Sequence, residues 1–517
     1  MAETAIKLVG ITKRFGNIVA NHDVDLDVMK GEILAILGEN GCGKTTLMNM
    51  IAGIYFPDSG KIFVDGNEVV IRSPKDAFKY KIGMIHQHFK LVDVFTAGEN
   101  IALGINDGEK YNMKNITAKI MEIASRYGFN IDPQKKIHEM SVSEKQTVEI
   151  LKVLYRGADI LILDEPTAVL TPQETQKLFE VLRRMRADGK SIIIITHKLH
   201  EVLSISDRVA VLRKGEHIAT VNTAETNESE LTEMMVGKKV DLNIERSEPK
   251  DPQLRLQVKG LNSTNSEGVQ VLNDVGFDAY SGEILGIAGI AGSGQRELLE
   301  AIAGLEHLDS GEITYHDPKT DKDVNLRDKT PLQIRDLGVR LSFVPEDRLG
   351  MGLVGNMNIT DNMMLRSYRR GKSAFLDRKK PKELAEKIIS DLEVVTPGTG
   401  TPVRRLSGGN VQKVLVGREI AAAPSVLMAA YPVRGLDINS SYMIYNLLNK
   451  QKESGVAVIF VGEDLDVLIE LCDRILVINA GKVTGIVDGR TAKKEEIGLL
   501  MTKTDTIENK EGANDAE

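Results

Sequence analysis

The chain repeats itself once, and this duplication limits what its 517 residues can fold into. The segment GEILAILG at 31–38 returns as GEILGIAG at 282–289, a separation of 251 positions. Further along, Ser141 and its surroundings match Ser407, 266 positions later, so the second copy contains extra residues in its earlier loops. A repeat of this length indicates two copies of one domain, because the units of a solenoid are only about 20 to 50 residues long.

The two copies are predicted to form two domains joined by a short linker. We place the first domain at residues 5–240, the linker at 241–252 and the second domain at 253–503. The linker is polar and contains two prolines, which is typical of a connection between domains. The last segment, 504–517, is polar and charged, and we predict that it is a disordered tail.

Within each copy, short apolar runs alternate with helical patterns. The run ILILD at 160–164, for example, precedes the helical pattern PQETQKLF at 172–179. Strands that alternate with helices along a chain favour parallel pairing. The alternation therefore predicts an α/β fold in which helices cover a mainly parallel sheet.

Charge and composition argue against several other classes of protein. The formal net charge is -8, whereas nucleic-acid-binding domains usually carry a basic excess. Two distant cysteines, Cys42 and Cys472, form neither a disulfide framework nor a paired zinc motif, which favours a reducing, cytoplasmic compartment. The N-terminus lacks the apolar run of a signal peptide, and no run approaches the roughly 18 apolar residues of a membrane span. If the protein acts at a membrane, we expect other chains to cross it.

The first copy contains a complete phosphate-loop motif. Its sequence GENGCGKT at 38–45 fits G-x-x-x-x-G-K-[ST], follows a predicted strand and precedes a predicted helix. Glycines let backbone N–H groups converge on phosphate oxygens at the helix N-terminus. We expect Lys44 to reach the β- and γ-phosphates and the Thr45 hydroxyl to hold Mg²⁺. The predicted nucleotide-binding residues here are Gly38, Glu39, Asn40, Gly41, Cys42, Gly43, Lys44, Thr45 and Thr46.

Two adjacent carboxylates supply the second part of the predicted site. Asp164 ends an apolar run and is followed directly by Glu165. An aspartate in this position can bind Mg²⁺ through water, and the neighbouring glutamate can polarise the attacking water. The first copy is therefore predicted to hydrolyse a nucleoside triphosphate.

The order of these motifs resembles an ATP-binding-cassette (ABC) domain. The phosphate loop at 38–45, Gln87, a signature serine at Ser141, DEPT at 164–167 and His197 follow one another as in that family. The resemblance implies two tandem P-loop ATPase domains, each with a mainly parallel sheet core, an antiparallel β subdomain and a helical subdomain.

The same resemblance implies roles for residues that single motifs do not assign. Gln87 would sense Mg²⁺ and couple the site to a partner, and His197 would contact the γ-phosphate. Phe15 would stack on adenine. The catalytic residues implied in this way are Glu165, His197 and Gln87, and the metal-binding residues are Thr45, Gln87 and Asp164.

The second copy has lost the residues that this chemistry needs. A glutamine supplies no positive charge to phosphates, and an arginine offers no hydroxyl to Mg²⁺. We therefore predict that the second site does not hydrolyse ATP. The replacements are Gln295 for Lys44, Arg296 for Thr45, Ala430 and Tyr431 for the carboxylates, Glu346 for Gln87, Glu463 for His197, and Ser266 near the position of Phe15.

The two signature segments show the opposite asymmetry. The second copy keeps LSGGN at 406–410, whereas the first reads MSVSE at 140–144. Glycines in the signature let the serine and backbone amides approach a phosphate closely. In the resembled family two cassettes face head to tail, which implies that Ser407, Gly408 and Gly409 complete the first phosphate loop. The second copy also keeps an aspartate loop at Asp437.

Fused cassettes of this kind resemble the ATPase subunits of bacterial simple-sugar and nucleoside importers. The segments at 20–24 and 87–89 favour the nucleoside branch. The resemblance implies ATP and Mg²⁺ as cofactors, two integral-membrane permease subunits, and an extracytoplasmic solute-binding lipoprotein as an indirect partner. It places the chain at the cytoplasmic face of the membrane without nucleic acid. A groove at 89–95 is predicted to receive a cytoplasmic helix of the permease.

Two alternative functions are weighed against import. A soluble tandem ABC ATPase that acts on ribosomes or nucleic acid usually keeps both ATP sites and a long charged connector, whereas this chain has a short linker and a net negative charge. A non-catalytic nucleotide sensor is disfavoured by the complete set of Lys44, Asp164 and Glu165.

Overall fold

The computed structural model divides the chain into two compact units, one beginning at Met1 and the other at Asn243. It describes residues 3–503 except 87–88, 105–111, 169, 240–242, 266, 291, 344–351, 366, 369–375, 422–423, 435 and 463. Gln87, Ser266, Glu346, Glu463 and the predicted tail at 504–517 therefore lie outside the described residues.

The described part of the first unit combines two sheets with eight α-helices. Its strands are β1 (Thr4–Phe15), β2 (Ile18–Met29), β3 (Ile33–Leu37), β4 (Ser59–Val64), β5 (Asn67–Val69), β6 (Ile82–Ile85), β7 (Ile160–Asp164), β8 (Ser191–Ile195), β9 (Arg208–Arg213) and β10 (Glu216–Asn222). Its helices are α1 (Lys44–Ile51), α2 (Pro74–Lys79), α3 (Ala97–Ala102), α4 (Met113–Tyr127), α5 (Val142–Tyr155), α6 (Pro172–Ala187), α7 (Leu199–Ile205) and α8 (Glu228–Val236).

A six-stranded sheet forms the centre of the first unit, in the order β10-β9-β3-β8-β7-β6. The pairs from β9 to β6 are parallel, and β10 joins β9 antiparallel. Every residue of β3, β7 and β8 is buried, as expected when helices cover both faces of a parallel sheet. The predicted α/β fold is confirmed.

A second, antiparallel sheet of the first unit has the order β2-β1-β4-β5. Alternate side chains of β1 and β2, such as Ile6, Leu8 and Leu26, share one apolar core with Leu47 and Met48 of α1. Helix α1 therefore packs between this sheet and the parallel sheet, which fixes the direction in which its N-terminus points.

Helices α3, α4 and α5 have an apolar core of their own. Ala97 and Ile101 pack with Ile120, Val148 and Leu151 in this cluster. The cluster corresponds to the helical subdomain that the family resemblance implies.

The described part of the second unit has the same components. Its strands are β11 (Leu254–Thr264), β12 (Gln270–Tyr280), β13 (Ile284–Ala288), β14 (Ser310–Asp317), β15 (Lys322–Asn325), β16 (Val339–Phe343), β17 (Val426–Ala430), β18 (Ala457–Val461), β19 (Arg474–Asn479) and β20 (Lys482–Asp488). Its helices are α9 (Gln295–Ile302), α10 (Pro331–Leu337), α11 (Ile359–Met364), α12 (Lys379–Asp391), α13 (Gly408–Ile420), α14 (Ile438–Glu453), α15 (Leu465–Leu471) and α16 (Lys494–Thr502). Among the described helices of either unit, none is long and apolar enough to cross a membrane.

The strand orders of the second unit repeat those of the first. Its sheets run β12-β11-β14-β15 and β16-β17-β18-β13-β19-β20, strand for strand the same arrangement. The separation between equivalent elements grows from 251 residues at β3 and β13 to 266 at α4 and α12. The extra residues therefore enter around β15 and in the loops on either side of α11, earlier than the signature helix α13, as predicted.

Part of the predicted linker packs against the second unit. The carbonyl oxygen of Ser247 accepts a hydrogen bond from Lys452 Nζ at 2.5 Å, and Glu248 forms an ion pair with Arg490 at 2.8 Å. These contacts attach residues 247–248 to α14 and to the turn after β20. We call residues 247–248, which are attached to the second unit in this way, the strap.

The strap covers an ion pair that the first unit leaves in solvent. Lys452 Nζ lies 2.8 Å from Asp473 Oδ1, and the two side chains are 1% and 6% exposed. The equivalent pair in the first unit, Arg186 and Asp207, is 39% and 38% exposed. An exposed pair contributes little to stability, whereas removing one partner of a buried pair leaves a charge without its counterion.

We expect Lys452→Met to destabilise the protein by about 3 kcal/mol, because Asp473 would remain buried beside the more distant Arg490. Arg186→Met is the matched control and should cost less than about 1 kcal/mol, because Asp207 stays in water. Urea unfolding of both variants measures the difference. Equal losses of stability would show that the strap does not seal the Lys452–Asp473 pair.

Candidate functional site

The predicted phosphate loop connects β3 to α1 at the C-terminal edge of the parallel sheet. Gly41 and Gly43 have positive φ angles of 82° and 99°, a region that favours glycine. A Cβ atom on Gly43 would lie 2.3 Å from the Ala20 carbonyl oxygen, and one on Gly38 would lie 2.3 Å from the Leu212 carbonyl oxygen. Close packing against β2 and β9 therefore requires the glycines and holds the loop in one shape.

Lys44 is the first residue of α1, and its buried side chain turns back over the loop. Its ammonium donates to the carbonyl oxygens of Gly38 at 2.6 Å and Glu39 at 2.9 Å. The positive charge is thus held beside the backbone N–H groups at the start of the helix, where an anion binds favourably.

Cys42 fills space within the same loop. Its side chain is buried, and burial raises the pKa of the thiol, although nearby Lys44 acts in the opposite direction. A reactive cysteine needs a lowered pKa and access to solvent, so the structure favours a packing role for this residue.

Thr45 and Asp164 come together although 119 positions separate them in the chain. The Thr45 hydroxyl donates to Asp164 Oδ1 at 3.4 Å, at the point where β7 ends beside α1. Burial raises the pKa of Asp164, the neighbouring Glu165 also raises it, and the Thr45 hydrogen bond lowers it. A hydroxyl and a carboxylate are hard oxygen donors of the kind that Mg²⁺ prefers, so the two residues fit this ion.

Glu165 and His197 form the second polar pair of the site. Glu165 Oε1 accepts a hydrogen bond from His197 Nδ1 at 2.9 Å. This hydrogen bond lowers the pKa of Glu165 and outweighs its burial, so the carboxyl group stays ionised. A carboxylate that is already ionised can take a proton from water.

The backbone at Glu165 has an uncommon conformation. Its φ angle is 46°, in the left-handed region that residues with a side chain rarely adopt. Its N–H donates to the Ile195 carbonyl oxygen of β8 at 2.9 Å, which anchors the turn. The second copy keeps the same turn without the carboxylate, because Tyr431 has φ 50° and donates to Val461.

Phe15 lies at the end of β1 with its ring exposed. The ring meets Tyr55 edge to face, with 5.2 Å between centroids. The Lys13 ammonium lies over the ring, 5.5 Å from its centroid. The adenine role of Phe15 stays a prediction. Gln87, the remaining predicted residue of the first copy, is outside the described part of the chain.

The second copy keeps the shape of the loop and loses its charge. Gly292 and Gly294 have φ angles of 83° and 106°. Gln295 is buried like Lys44 and donates its neutral amide to the Ile290 carbonyl oxygen at 3.0 Å. Arg296 forms an ion pair with Glu300 along the helix at 2.8 Å. The described part of the loop therefore keeps the glycine conformations of the first loop but has a neutral amide at the position of Lys44.

The two signature serines cap equivalent helices in different ways. Ser407 caps α13, is exposed, and accepts a hydrogen bond from the Asn410 side chain at 2.8 Å. Gly408 and Gly409 follow it, so the first two residues of the helix carry no side chain. A phosphate can approach the free N–H groups of such a turn.

In the first signature, a side chain of the same helix binds the backbone at the helix N-terminus. The Glu144 carboxylate accepts the Ser141 backbone N–H at 2.7 Å and also binds Lys135 at 2.7 Å. Val142 adds an exposed branched side chain beside it. The Ser141 N–H group is therefore already bound within its own helix turn and is not available to a phosphate. The sequence analysis missed the roles of Glu144 and Lys135, although the S-x-x-E spacing of a capping box was present.

The structure thus brings Lys44, Thr45, Asp164, Glu165 and His197 to one edge of the first unit's sheet. Ser407, Gly408 and Gly409 lie in the second unit. Their assignment to the first phosphate loop stays a prediction.

Comparison with known proteins gives a consistent set of relatives. The family model described as ABC transporter matches residues 21–168 and 272–432. The nucleoside import ATP-binding protein NupA of Lactococcus lactis subsp. cremoris is 42% identical, over 96% of this chain and 98% of the relative. The guanosine import ATP-binding protein NupO of Bacillus subtilis is also 42% identical, with 96% and 97% coverage. The ribose import ATP-binding protein RbsA 2 of Streptomyces coelicolor is 36% identical, with 97% and 95% coverage.

Proposed function

The chain belongs to the ABC transporter family, and from this premise we propose that it is the ATP-hydrolysing subunit of a bacterial nucleoside importer. The observation that carries the proposal is the set of Lys44, Thr45, Asp164, Glu165 and His197 at one sheet edge of a chain with full-length import relatives. A nucleoside is favoured over a simple sugar because the relatives named for nucleoside or guanosine import are 42% identical, against 39% for a relative named for glucose import and 36% for the ribose relative.

ATP binding rests on the loop at 38–43 and on Lys44. The backbone N–H groups at the start of α1 would bind the phosphate oxygens, and the Lys44 ammonium would exchange its loop carbonyl partners for β- and γ-phosphate oxygens. Phe15 would stack on the adenine ring. Glu39, Asn40 and Thr46 complete the proposed contacts around the loop.

Hydrolysis rests on Glu165. Thr45 and Asp164, with Gln87, would hold Mg²⁺, which when bound supplies positive charge to the phosphate oxygens. Glu165 would orient the attacking water and accept its proton, since the His197 hydrogen bond keeps the carboxyl group ionised. The imidazole of His197 would also reach the γ-phosphate.

We place the other half of the catalytic site in the second copy. Ser407, Gly408 and Gly409 would bind the γ-phosphate at the open N-terminus of α13, and the aspartate loop at Asp437 would approach the same site. The first signature is a poor candidate for an equivalent role, because Glu144 occupies the Ser141 N–H group with a negative charge. One working site for each chain is the expected result.

The proposed partners are two integral-membrane permease subunits at the cytoplasmic face of the membrane, served indirectly by a solute-binding lipoprotein. Both units carry a comparable loop with exposed apolar side chains. In the first unit these are Val92, Val94 and Phe95, and in the second they are Val354 and Met357. Two such loops in one chain suit two permease subunits, and each would receive a short permease helix.

Buried polar side chains hold these loops rigidly. Asn100 accepts the Val92 N–H at 2.8 Å and donates to the Val92 carbonyl at 3.1 Å. Asn362 makes the same two bonds to Val354, at 2.9 and 3.2 Å. A loop held in this way can transmit a conformational change between the cassette and a docked helix.

The signature helix of the first unit, α5, forms hydrogen bonds to the first unit's docking loop. Glu149 accepts the Lys90 N–H at 2.7 Å, and Lys152 donates to the Lys90 carbonyl at 3.1 Å. Both side chains belong to α5, which begins at the signature serine. Movement of the signature would therefore move the proposed docking loop.

The ribosome or nucleic-acid alternative receives no support from these observations, since the full-length relatives are named for import. We expect a pull-down with the tagged chain from cells that express it to recover permease subunits and not ribosomes.

We expect Lys44→Ala to lower ATP turnover at least about a hundredfold, because a charge that stabilises the transferring phosphoryl group is lost. The matched variant at the equivalent position, Gln295→Lys, should leave turnover unchanged, because Ala430 and Tyr431 supply no carboxylate there. Steady-state phosphate release measures both. Persistent turnover in Lys44→Ala would refute the proposed site.

We expect His197→Ala to move the acidic limb of the kcat pH profile to higher pH. The hydrogen bond from His197 lowers the pKa of Glu165, so its removal lets burial raise that pKa. A larger fraction of Glu165 is then protonated, and the base is lost, at a pH where the wild-type carboxylate is still ionised. The control is His316→Ala, which removes a histidine that lies 2.9 Å from Asp323 in the second unit. An unchanged acidic limb in His197→Ala would contradict the role of Glu165 as the base.

We expect charge in the docking loop to uncouple hydrolysis from transport. Val94 is 70% exposed, so Val94→Asp should leave the fold and basal ATP turnover intact while solute uptake by the assembled transporter falls. Phe89→Asp tests the other end of the same loop. Leu499→Asp on α16, where the side chain is 63% exposed, is the control. Normal uptake with both loop variants would exclude this surface as the docking site.

A further inference from the structure

Asn21 is a buried polar residue beside the phosphate loop for which neither the proposed chemistry nor the fold gives a reason. It lies on β2 with no exposed surface. Its side-chain Nδ2 donates to the Gly43 carbonyl oxygen at 3.3 Å, whereas its Oδ1 has no hydrogen-bond partner within the described chain. A buried carbonyl oxygen without a partner costs folding free energy, so this side chain calls for an explanation.

The duplicated fold supplies the comparison. The equivalent residue of the second copy is Leu272, whose Cδ2 would lie 3.3 Å from a Cβ on Gly294. The second loop therefore packs on an apolar side chain at the place where the first loop packs on an amide. An apolar residue fits this position in the second copy, so the shared fold by itself does not require an amide there.

The surrounding backbone is the same in both copies. The backbone N–H of His22 donates to the Gly215 carbonyl at 2.8 Å, and the backbone N–H of Asn273 donates to the Gly481 carbonyl at 2.8 Å. Each of these glycines in turn donates to a carbonyl of its loop, Gly215 to Cys42 at 3.0 Å and Gly481 to Ser293 at 2.9 Å. The two copies therefore share the same backbone arrangement here and differ in the side chain at positions 21 and 272.

The oxygen that Asn21 binds belongs to the peptide from which α1 starts. The Gly43 carbonyl oxygen also accepts the Leu47 N–H at 2.9 Å, the first hydrogen bond of the helix. Two donors on this oxygen restrict the rotation of the Gly43–Lys44 peptide. Because the peptide is planar and trans, its N–H, which belongs to Lys44, points away from them toward the open end of the helix.

We propose that Asn21 is a positioning residue of the catalytic phosphate loop, where it fixes and polarises the Gly43–Lys44 peptide so that the Lys44 N–H binds a phosphate oxygen of ATP. The inference rests on the proposed function of the first loop as the ATP site. A second donor on the carbonyl strengthens the N–H on the other side of the same peptide, since hydrogen bonds in a chain polarise one another. The copy that has lost the catalytic lysine has also lost this donor.

The proposal separates ATP affinity from stability. Asn21→Leu installs the residue of the second copy, removes the donor and removes the unpartnered oxygen. We expect the KM and the dissociation constant for ATP to rise about fivefold, the value of one neutral hydrogen bond, with kcat changed less than about twofold. The melting temperature should stay the same or rise. Asn21→Val, which suits a strand and is smaller, should behave in the same way if the leucine variant folds poorly.

The control is Leu272→Asn in the second copy, which should leave KM unchanged and lower the melting temperature. An unchanged KM in Asn21→Leu and Asn21→Val would overturn the proposal. A raised KM with a lowered melting temperature in both variants would also overturn it, because the amide would then be structural. Lys44→Ala, measured in parallel, distinguishes a failure of the proposed ATP site from a failure of the positioning role of Asn21. If Lys44→Ala still hydrolyses ATP, the ATP site itself is refuted. If Lys44→Ala loses turnover while Asn21→Leu keeps the wild-type KM, only the positioning role is refuted.

Discussion

The structure depends on the close approach of the phosphate loop to the strands on either side of it. The loop leaves the buried strand β3 and must turn into α1 within six residues, between the Leu212 and Ala20 carbonyls. Glycines at 38 and 43 make this possible, and their contacts join the parallel sheet, the antiparallel sheet and the helix in one packed unit. The second copy keeps the same approach at Gly289 and Gly294, although it has lost the catalytic residues. The loop is therefore a structural element of the fold as well as a binding site.

The sequence predicted these elements because they depend on local signals. Continuous apolar runs predicted the buried strands β3 and β7, and the family resemblance and the duplication predicted the order of the domains. The importer ATPase function predicted from these motifs is confirmed by the full-length relatives. The roles of single residues such as Phe15, Gln87 and Ser407 stay predictions.

The features that the sequence did not predict are contacts between distant residues. The strap at Ser247 meets Lys452, and the Lys135–Glu144 pair closes the first signature. The Asn21 amide reaches the loop from another strand. In each case a polar residue looked ordinary in the sequence, because its partner is set by the packing of elements that lie far apart in the chain or across a turn.

The second copy shows which parts of such a site a protein can lose easily. Charged and polar side chains have been replaced, Lys44 by Gln295 and Asn21 by Leu272, because a new side chain fits into an unchanged backbone. The backbone itself has not relaxed, since Tyr431 retains the left-handed conformation of Glu165 and still binds Val461. That conformation is fixed by hydrogen bonding between β17 and β18, so it persists after the carboxylate that it once presented is gone. The strain at Glu165 is thus a property of the fold, whereas the buried amide at Asn21 is a property of the working site.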